Sequence, residues 1–512
     1  MAQLARYSGL NTYFGDVHNH CGVSYGRGSL EDAYQNARLQ LDFASVTVHA
    51  HWPDIPTGDP RLDYLVDYHA RGFEAATEQW PHYQAITDAS QVEGAFVTLP
   101  SFEWHSMAYG DHVVYFKDTG ASHIIPATDL ADMRAHLREL AGRGIDTFLI
   151  PHHIGYRRGY RGINWAAFTP EFSPAVEIVS FHGLSEHTEA PYPYLHSMGP
   201  RDAHSTVQHG LGLGHIFGFI GSTDHHNAHP GHYGYGRLAV WAEALTREAI
   251  WVAIRARRTV ALTGDRINLE VALNGAVMGA VVPASVERRM EIYVMGGAAL
   301  DVVEVLRNNR VIHRWHPDLS GAEWDGGLVK VFLELGWGEE PASTPWNVNL
   351  QVQQGRLYDV EPRLRGHGIE PPPDDMRDRF AFSDVTQPEP DRVRWSTVTW
   401  RNPTVSTPAT QGLCMTIDGD VHTRIAGHIN GHDVDLALGD LRDGAQSRYL
   451  GGFVSPAYCF HRAIPQAELE GRFTFEDRTS STSRDWYYVR VRQQNGHYAW
   501  SSPIWVDPDR QA

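Results

Sequence analysis

The chain has 512 residues, 42% of them hydrophobic and 20% charged, which describes a globular protein with room for two or three domains or one large barrel with an appendage. Its formal charge of −18 argues against nucleic acid as the main partner, because polyanion binding depends on clustered Lys and Arg. No window approaches the ~18 apolar residues of a membrane span and the N-terminus lacks the apolar core of a secretory signal, so no membrane partner and a cytoplasmic location are expected.

The first strand signal, Tyr13, Phe14 and Val17, carries Asp16, His18 and His20. Residues two apart on a strand share a side, so both imidazoles leave together with Asp16 alongside, an arrangement suited to metal binding. A loop at 22–28 leads to Ser29-Leu-Glu-Asp32, a capping box opening a helix. The next strand, Phe43-Ala-Ser-Val-Thr-Val48, ends in His49-Ala-His51. Helical sequence over 61–80 is expected to break at Pro81. Strand 95–102 delivers Glu103, Trp104 and His105, and strand 112–116 starts at His112. The helix 129–141 places Leu130, Met133, Leu137 and Leu140 on one stripe, and strand 147–151 ends at His152 and His153. Strand 175–181 ends at His182, and strand 217–222 carries Thr223-Asp224-His225-His226. Residues 237–241 read as a strand and 247–258 as a helix.

Strands alternating with helices over about 260 residues indicate a parallel α/β architecture, and polar residues at the strand C-termini indicate a barrel of the TIM type or a relative. From about residue 266 the period becomes two, with a hairpin turning at Asn308-Asn309 and an irregular Pro- and Trp-rich stretch over 340–408. The expected division is a metal-binding barrel, 1–265, and an all-β, sandwich-like region, 266–512.

With 30 His in 512 residues, scattering alone would give roughly two His-x-His and about two His-His pairs, as many as the chain has. The pairs themselves are therefore no signal; their repeated position after strands is. Histidines and carboxylates without thiolates suit Zn, Mn or Fe in an open catalytic site. Two such ions, bridged by a carboxylate such as Glu103, can hold an attacking hydroxide between them. Cys21, Cys414 and Cys459 are too few and dispersed for a disulfide framework. Loop or solvent-facing positions are expected for His105, His123, His136 and His204, and substrate contact by His229 or His232 is the lesser reading of those two.

Asp16-Val-His-Asn-His20 resembles the first motif of the PHP (polymerase and histidinol phosphatase) superfamily, and Val46-Thr-Val-His49 resembles its second. Glu103, His112, Pro151-His-His153 and Gly221-Ser-Thr-Asp-His-His226 follow in the order of the remaining motifs. The segment 255–266 and the C-terminal Arg484-Asp-Trp-Tyr-Tyr-Val-Arg-Val-Arg492 resemble, more closely, a large subgroup of unknown function. The resemblance implies a distorted (βα)₇ barrel with two or three divalent ions, Zn, Mn or Fe, acting on phosphoesters. It would place one ion on His18, His20, Glu103 and Asp224, a second on Glu103, His112 and one of His152/His153, and a third on His49 and His226. The residues it would put to catalytic use are Glu103, Asp224, His153 and His182, the last equally readable as a strand-end cap. Tyr25 and Val48 stand where acidic residues or ligands are usual, so the third ion is absent or draws on His51 or His225, and Tyr25 lines the pocket.

The function expected is a metal-dependent hydrolase of a small-molecule phosphoester, with homo-oligomerisation open. Only Lys117 and Lys330 are lysines, which disfavours a phosphate-rich substrate, although Arg157, Arg158, Arg161 and Arg237 could supply guanidinium contacts. The alternative is an amidohydrolase-like or lyase reaction on a carbonyl, for which a bridging carboxylated lysine could come only from Lys117 within the barrel. A third reading, a polymer-binding β region, rests on aromatic residues over 315–346.

Overall fold

The apolar runs of the first half become strands of two to six residues, most of them stopping at or just before polar residues. The computed structural model describes residues 3–195, 198–318, 324–338, 343–368, 372–404, 407–479 and 483–510. Its early strands are β1 (Asn11–Asp16), β2 (Phe43–Ala44), β3 (Thr47–His51), β4 (Val97–Thr98), β5 (Ser101–Trp104) and β6 (His112–Phe116). They continue as β7 (Thr147–Pro151), β8 (Ala175–Ser180), β9 (Gly183–Leu184), β10 (Gly218–Gly221), β11 (Arg237–Ala242) and β12 (Thr259–Leu262). The α-helices of this half are α1 (Leu30–Gln40), α2 (Asp63–Ala89), α3 (Leu130–Gly142), α4 (Val207–Gly212) and α5 (Arg247–Arg255), and two short ones, Leu438–Asp443 and Gln466–Leu469, follow in the second. The protein is thus mixed α/β with many strands and few helices.

Local chemistry explains the helix ends. Ser29 Oγ accepts from the Asp32 amide at 3.0 Å and Asp32 accepts from the Ser29 amide at 3.3 Å, the reciprocal box that starts α1. The stripe of α3, Leu130, Met133, Leu137 and Leu140, is buried as expected. Helix α2 departs from expectation by running through Pro81 to Ala89. The proline costs one helical hydrogen bond, but both flanks are pinned: Trp80 donates to the Ser122 carbonyl at 3.1 Å and Tyr83 to the Val46 carbonyl at 2.8 Å.

Pairing is parallel between β1 and β2, β2 and β4, β3 and β5, and β8 and β10. It is antiparallel between β5 and β6, β6 and β7, β1 and β11, and β11 and β12. The all-parallel order expected from the sequence is therefore only partly realised. Between β5 and β6 the connection, residues 105–111, is shorter than the dozen residues a crossover needs, so the chain must turn back. Past the end of β10 the chain runs beside the end of β1: the Asp224 amide donates to the His18 carbonyl and the His20 amide to the His225 carbonyl, both at 2.7 Å. Val17, Phe43, Leu99, Val113, Tyr115, Ile150 and Ile220 fill the space inside these strands. Val48, Trp104 and Val114 face outward, into the core formed with α1 and α3.

Residues beyond 265 are dominated by strands. Gly327–Trp337 and Gln411–Gly419 in one sheet face Thr344–Gln353 and Arg392–Thr399 in another across a core of Val331, Leu333, Val348, Trp395 and Met415, a sandwich. The expectation that 340–408 is irregular is overturned: it carries Thr344–Gln353, Arg356–Arg363, Asp384–Glu389 and Arg392–Thr399, although 340–342, 369–371 and 405–406 lie outside the described residues, as do parts of the 315–346 stretch. The hairpin at Asn308-Asn309 is present, with both residues at positive φ (50° and 67°), as its tight turn requires. One sheet joins β4, β2, β1, β11 and β12 to Tyr498–Ser501 and Asp485–Gln493, so strands from both halves of the chain share hydrogen bonds. The segment 364–368 reaches the polar strand ends: the Gly366 amide donates to His232 Nδ1 at 3.0 Å, and the His367 carbonyl accepts from His225 Nε2 at 2.7 Å.

Candidate metal centre

Strand register assembles the cluster. His49 and Glu103 are direct neighbours across the parallel pair β3 and β5, and the bonds between His18, His20, Asp224 and His225 set Asp224 against both histidines of the first strand. Glu103 is the hub. Its Oε2 lies 2.8 Å from His49 Nδ1, 3.5 Å from His20 Nε2 and 3.8 Å from His18 Nε2, and its Oε1 lies 3.1 Å from His152 Nε2 and 3.1 Å from His105 Nδ1. Asp224 Oδ1 lies 3.0 Å from His20 Nε2 and 3.4 Å from His18 Nε2, while its Oδ2 lies 2.8 Å from His182 Nε2. Groups whose donor atoms all lie within 4.8 Å of one another include His18/His20/Asp224, His20/His49/His226 and Glu103/Asp111/His152/His153.

Several imidazoles are oriented from behind. His18 Nδ1–H donates to Glu177 Oε2 at 2.9 Å, His20 Nδ1–H to the Thr47 carbonyl at 2.8 Å, and His226 Nδ1–H to the Asp224 carbonyl at 2.8 Å. Each bond fixes the tautomer and turns the Nε2 lone pair toward the centre, as metal-ligating histidines require. Burial holds His49 and His152 well below the usual imidazole range and His226 down to about 3, so all three are neutral donors. Burial opposes ionisation of Glu103 and Asp224, but His105 and His152 around the first, and His18 and His182 around the second, outweigh it and hold both pKa values well down. His18 itself is pulled up: burial lowers it, yet Asp224 and Glu177 prevail.

These donors fit a divalent cation. His49 Nε2, Glu103 Oε2, both ring nitrogens of His152 and His153 Nδ1 are buried without a hydrogen bond among the described residues; the close approaches to Glu103 lack hydrogen-bond angles. Unpaired buried polar atoms cost about 1–3 kcal/mol each, so five of them approach the whole stability of a domain. Nitrogen and oxygen donors converging without thiolate suit Zn, Mn or Fe. Some backbone strain lies here too: His153, Arg161 and Asp224 have φ of 31°, 66° and 52°, a region that costs non-glycine residues roughly 1–3 kcal/mol.

Of the residues expected from the sequence, His18, His20, His49, Glu103, His152, His153, His182, Asp224 and His226 are brought together. His112 is not. It pairs with Trp104 across β5 and β6, on the outward face of the alternating strand, and its Nδ1–H donates to the Gly110 carbonyl at 2.9 Å. Asp111 occupies the inward position instead. His105, expected in a loop or facing solvent, lies in the loop after β5 but is fully buried between Glu103 and Asp111, whereas His123, His136 and His204 are exposed. Asp16 sits beside the histidines, but its Oδ2 accepts from Thr223 Oγ1 at 2.5 Å and the Gly231 amide at 2.8 Å and its Oδ1 from the Thr223 and His18 amides at 3.1 and 3.2 Å, so it clamps the strands. His225 bonds the His367 carbonyl, and His229 and His232 are buried beside it. Tyr25 lines the cavity, its ring stacked on His49 at 3.7 Å. Lys117 pairs with Asp146 at 2.7 Å and Glu248 at 3.1 Å beyond the far end of β6.

Sequence reasoning missed Glu177, Asp111 and the role of His105. Glu177 had a signal: a carboxylate in the middle of the apolar run Ala175-Val-Glu-Ile-Val179 must be buried, hence partnered. Asp111 had none beyond its adjacency to His112.

No family model matches the chain. It is 30% identical over 191 residues to an uncharacterized protein of Chlamydia trachomatis, covering 34% of this chain and 31% of that one. It is 28% identical over 269 residues to an uncharacterized protein of Chlamydia pneumoniae, covering 47% and 41%, so the chain spans less than half the length of these relatives. Among solved structures, similarity is found to a two-domain protein of Bacteroides vulgatus containing a predicted PHP-like metal-dependent phosphoesterase, at 16% identity and a TM-score of 0.33 over 59% of this chain and 80% of that one. Similarity is also found to PsfC of Pseudomonas syringae, at 17% identity and a TM-score of 0.30 over 45% and 82%.

Proposed function

We propose that this chain is a metal-dependent hydrolase of the PHP type, with residues 1–265 forming a distorted barrel that carries the chemistry, residues 266–512 supporting it, and a small-molecule phosphoester as substrate. The observation that carries the reading is the convergence of buried imidazole nitrogens on the Glu103 and Asp224 carboxylates, with Glu103 Oε2 and both ring nitrogens of His152 left without a hydrogen bond among the described residues. Two or three divalent ions would be held by His18, His20, His49, Glu103, His152, Asp224 and His226, with Asp111 in the position expected of His112. Bound there, they would supply Lewis acidity and a water of lowered pKa.

The protein's own groups have separate tasks. Glu103 and Asp224 hold negative charge in a buried site and orient the histidines around them. Asp224 can only accept a hydrogen bond, so His182 donates from Nε2 and accepts the Tyr156 hydroxyl at Nδ1, at 2.8 and 2.7 Å; the carboxylate thus fixes which nitrogen bears the proton. His153 and His182 both line the cavity; His153 is placed to exchange a proton with a group bound above Glu103 and Asp224, whereas His182, its ring nitrogens taken by Asp224 and Tyr156, positions the Asp224 carboxylate. The carboxylated-lysine form of a carbonyl reaction finds no support, because Lys117 is engaged with Asp146 and Glu248.

The test is elemental analysis of the purified chain followed by hydrolysis assays with Mn or Zn on phosphomonoester, phosphodiester, carboxylic ester and amide panels. Divalent metal above one equivalent and phosphoester turnover are expected. Metal-free protein that does not take up Mn or Zn, or turnover confined to amides and carboxylic esters, would overturn the proposal.

A further inference from the structure

The cavity above the cluster has a volume of about 790 Å³, within the range of small-molecule sites. Its floor is polar, with Glu103, Asp224, His49 and His182. Its walls are not. Tyr25 stacks on His49, and the Tyr68 ring continues outward 4.8 Å from it. Trp52 forms another wall beneath the Arg161 guanidinium, which lies 4.8 Å above its ring. At the mouth Tyr64, Tyr68 and Tyr160 are 71%, 42% and 58% exposed. Tyr64 and Tyr68 are one turn apart on α2 and so project from the same side. Large rings exposed together around a concave site mark a binding surface.

Charge points the same way. Among the described lining residues, Arg161 is the sole Lys or Arg, and it is already committed. Its Nε donates to Asp111 Oδ2 at 2.8 Å, its Nη2 reaches the same oxygen, and its Nη1 points to the Met198 sulfur at 2.8 Å. A phosphate-rich ligand is recognised by guanidinium or ammonium groups that can give it two or more charged hydrogen bonds. Arg157 and Arg158 are outside the lining, and Arg237 is buried on the Gly231 carbonyl and Gln40.

We infer that the substrate's body beyond the reacting group is bulky, aromatic and uncharged, held against Tyr25, Trp52 and Tyr68 with Tyr64 and Tyr160 over its outer edge. This inference rests on the hydrolase reading, since it places the reacting group at Glu103 and Asp224. It excludes nucleotides and multiply phosphorylated sugars as the preferred substrates.

The test is calorimetric titration of the full chain, supplied with Mn, using 1-naphthylphosphonate and methylphosphonate, whose C–P bonds resist phosphoester hydrolysis. The naphthyl probe is expected to bind about tenfold tighter or better. The double variant Tyr64→Ser/Tyr160→Ser, whose side chains are largely exposed, should cut that ratio about threefold and leave methylphosphonate affinity unchanged. Equal affinities, absence of binding by either probe, or a ratio insensitive to the double variant would overturn the inference. Turnover is read separately with 1-naphthyl phosphate and glycerol phosphate. A naphthyl preference in binding with no hydrolysis would sink the reaction and leave the aromatic site standing; equal kcat/KM for the two esters would keep the reaction and sink the aromatic site.

Discussion

Glu177→Gln tests the support that one buried carboxylate gives to His18 and to the backbone of His153. Glu177 is 1% exposed; its Oε2 accepts from His18 Nδ1–H at 2.9 Å and its Oε1 from the His153 amide at 3.3 Å. Burial raises its pKa and His18 draws it back. Glutamine preserves the volume but has one acceptor oxygen, so it serves His18 or the His153 amide and turns an NH₂ toward the other. The loss is one charge-assisted hydrogen bond, about 1.5–3 kcal/mol, with loss of the negative charge that makes His18 Nε2 a better donor. Metal affinity should fall about 10- to 100-fold. Competition with a chromogenic zinc chelator measures it, and circular dichroism checks the fold. Glu270→Gln is the control, since Glu270 accepts from the Gln3 and Leu4 amides, outside the cluster and the cavity above it, and should leave affinity unchanged. If folded Glu177→Gln binds zinc within about twofold of the parent protein, His18 is not a ligand oriented by Glu177 and the assignment of that histidine is wrong.

Three further outcomes are expected. Asp265 is buried and accepts from Tyr233 at 2.6 Å, Gln493 at 2.7 Å and Asn495 at 2.8 Å, with Arg363 at 3.1 Å; burial opposes its charge, but Arg363 prevails and depresses its pKa. Its contribution is therefore present above the unfolded carboxylate value near 4 and lost as pH falls through the lower folded value, so Asp265→Asn should cost about 3–5 kcal/mol at neutral pH and flatten the acid limb of a denaturation-versus-pH series; equal stability of the two proteins at pH 7 contradicts it. His182→Asn should lower kcat about 10- to 100-fold with metal content retained by elemental analysis, and an unchanged kcat would remove His182 from the positioning of Asp224. Lys117→Ala should keep metal content and activity, at a cost under about 1 kcal/mol in urea titration; loss of metal would revive a bridging lysine.

The fold was legible where local chemistry decides it. The Ser29 box, the α3 stripe and the Asn308-Asn309 hairpin need only near neighbours, and each is where the sequence places it. Pro81 misled because its cost is local while its compensation, the Ser122 and Val46 carbonyls, comes from elsewhere in the chain. Over 340–408 abundant Pro and Trp obscured the period-two alternation of Trp346, Val348, Leu350 and Val352, whose burial depends on a facing sheet. Strand direction was not legible either: alternation of strands and helices suggests parallel pairing, and the antiparallel pairs depend on connections such as 105–111.

The site shows the same division between order along the chain and register across it. Polar residues at strand ends were recognised from order, and His18, His20, Glu103 and Asp224 do meet. Which of two adjacent residues faces inward depends on strand parity, which a one-residue shift in the strand's start reverses. That shift separates His112 from Asp111. Glu103 opposes Val113, a residue of the interior, so His112 must lie with Trp104 on the outer face. The same parity sends Val48 outward between two inward neighbours, Thr47 and His49, so an acidic residue at 48 could not reach the cluster without a different strand register. The valine at 48 therefore takes nothing from the cluster, and the His49 side is set by Tyr25, whose ring stacks on His49 and walls it with an aromatic face.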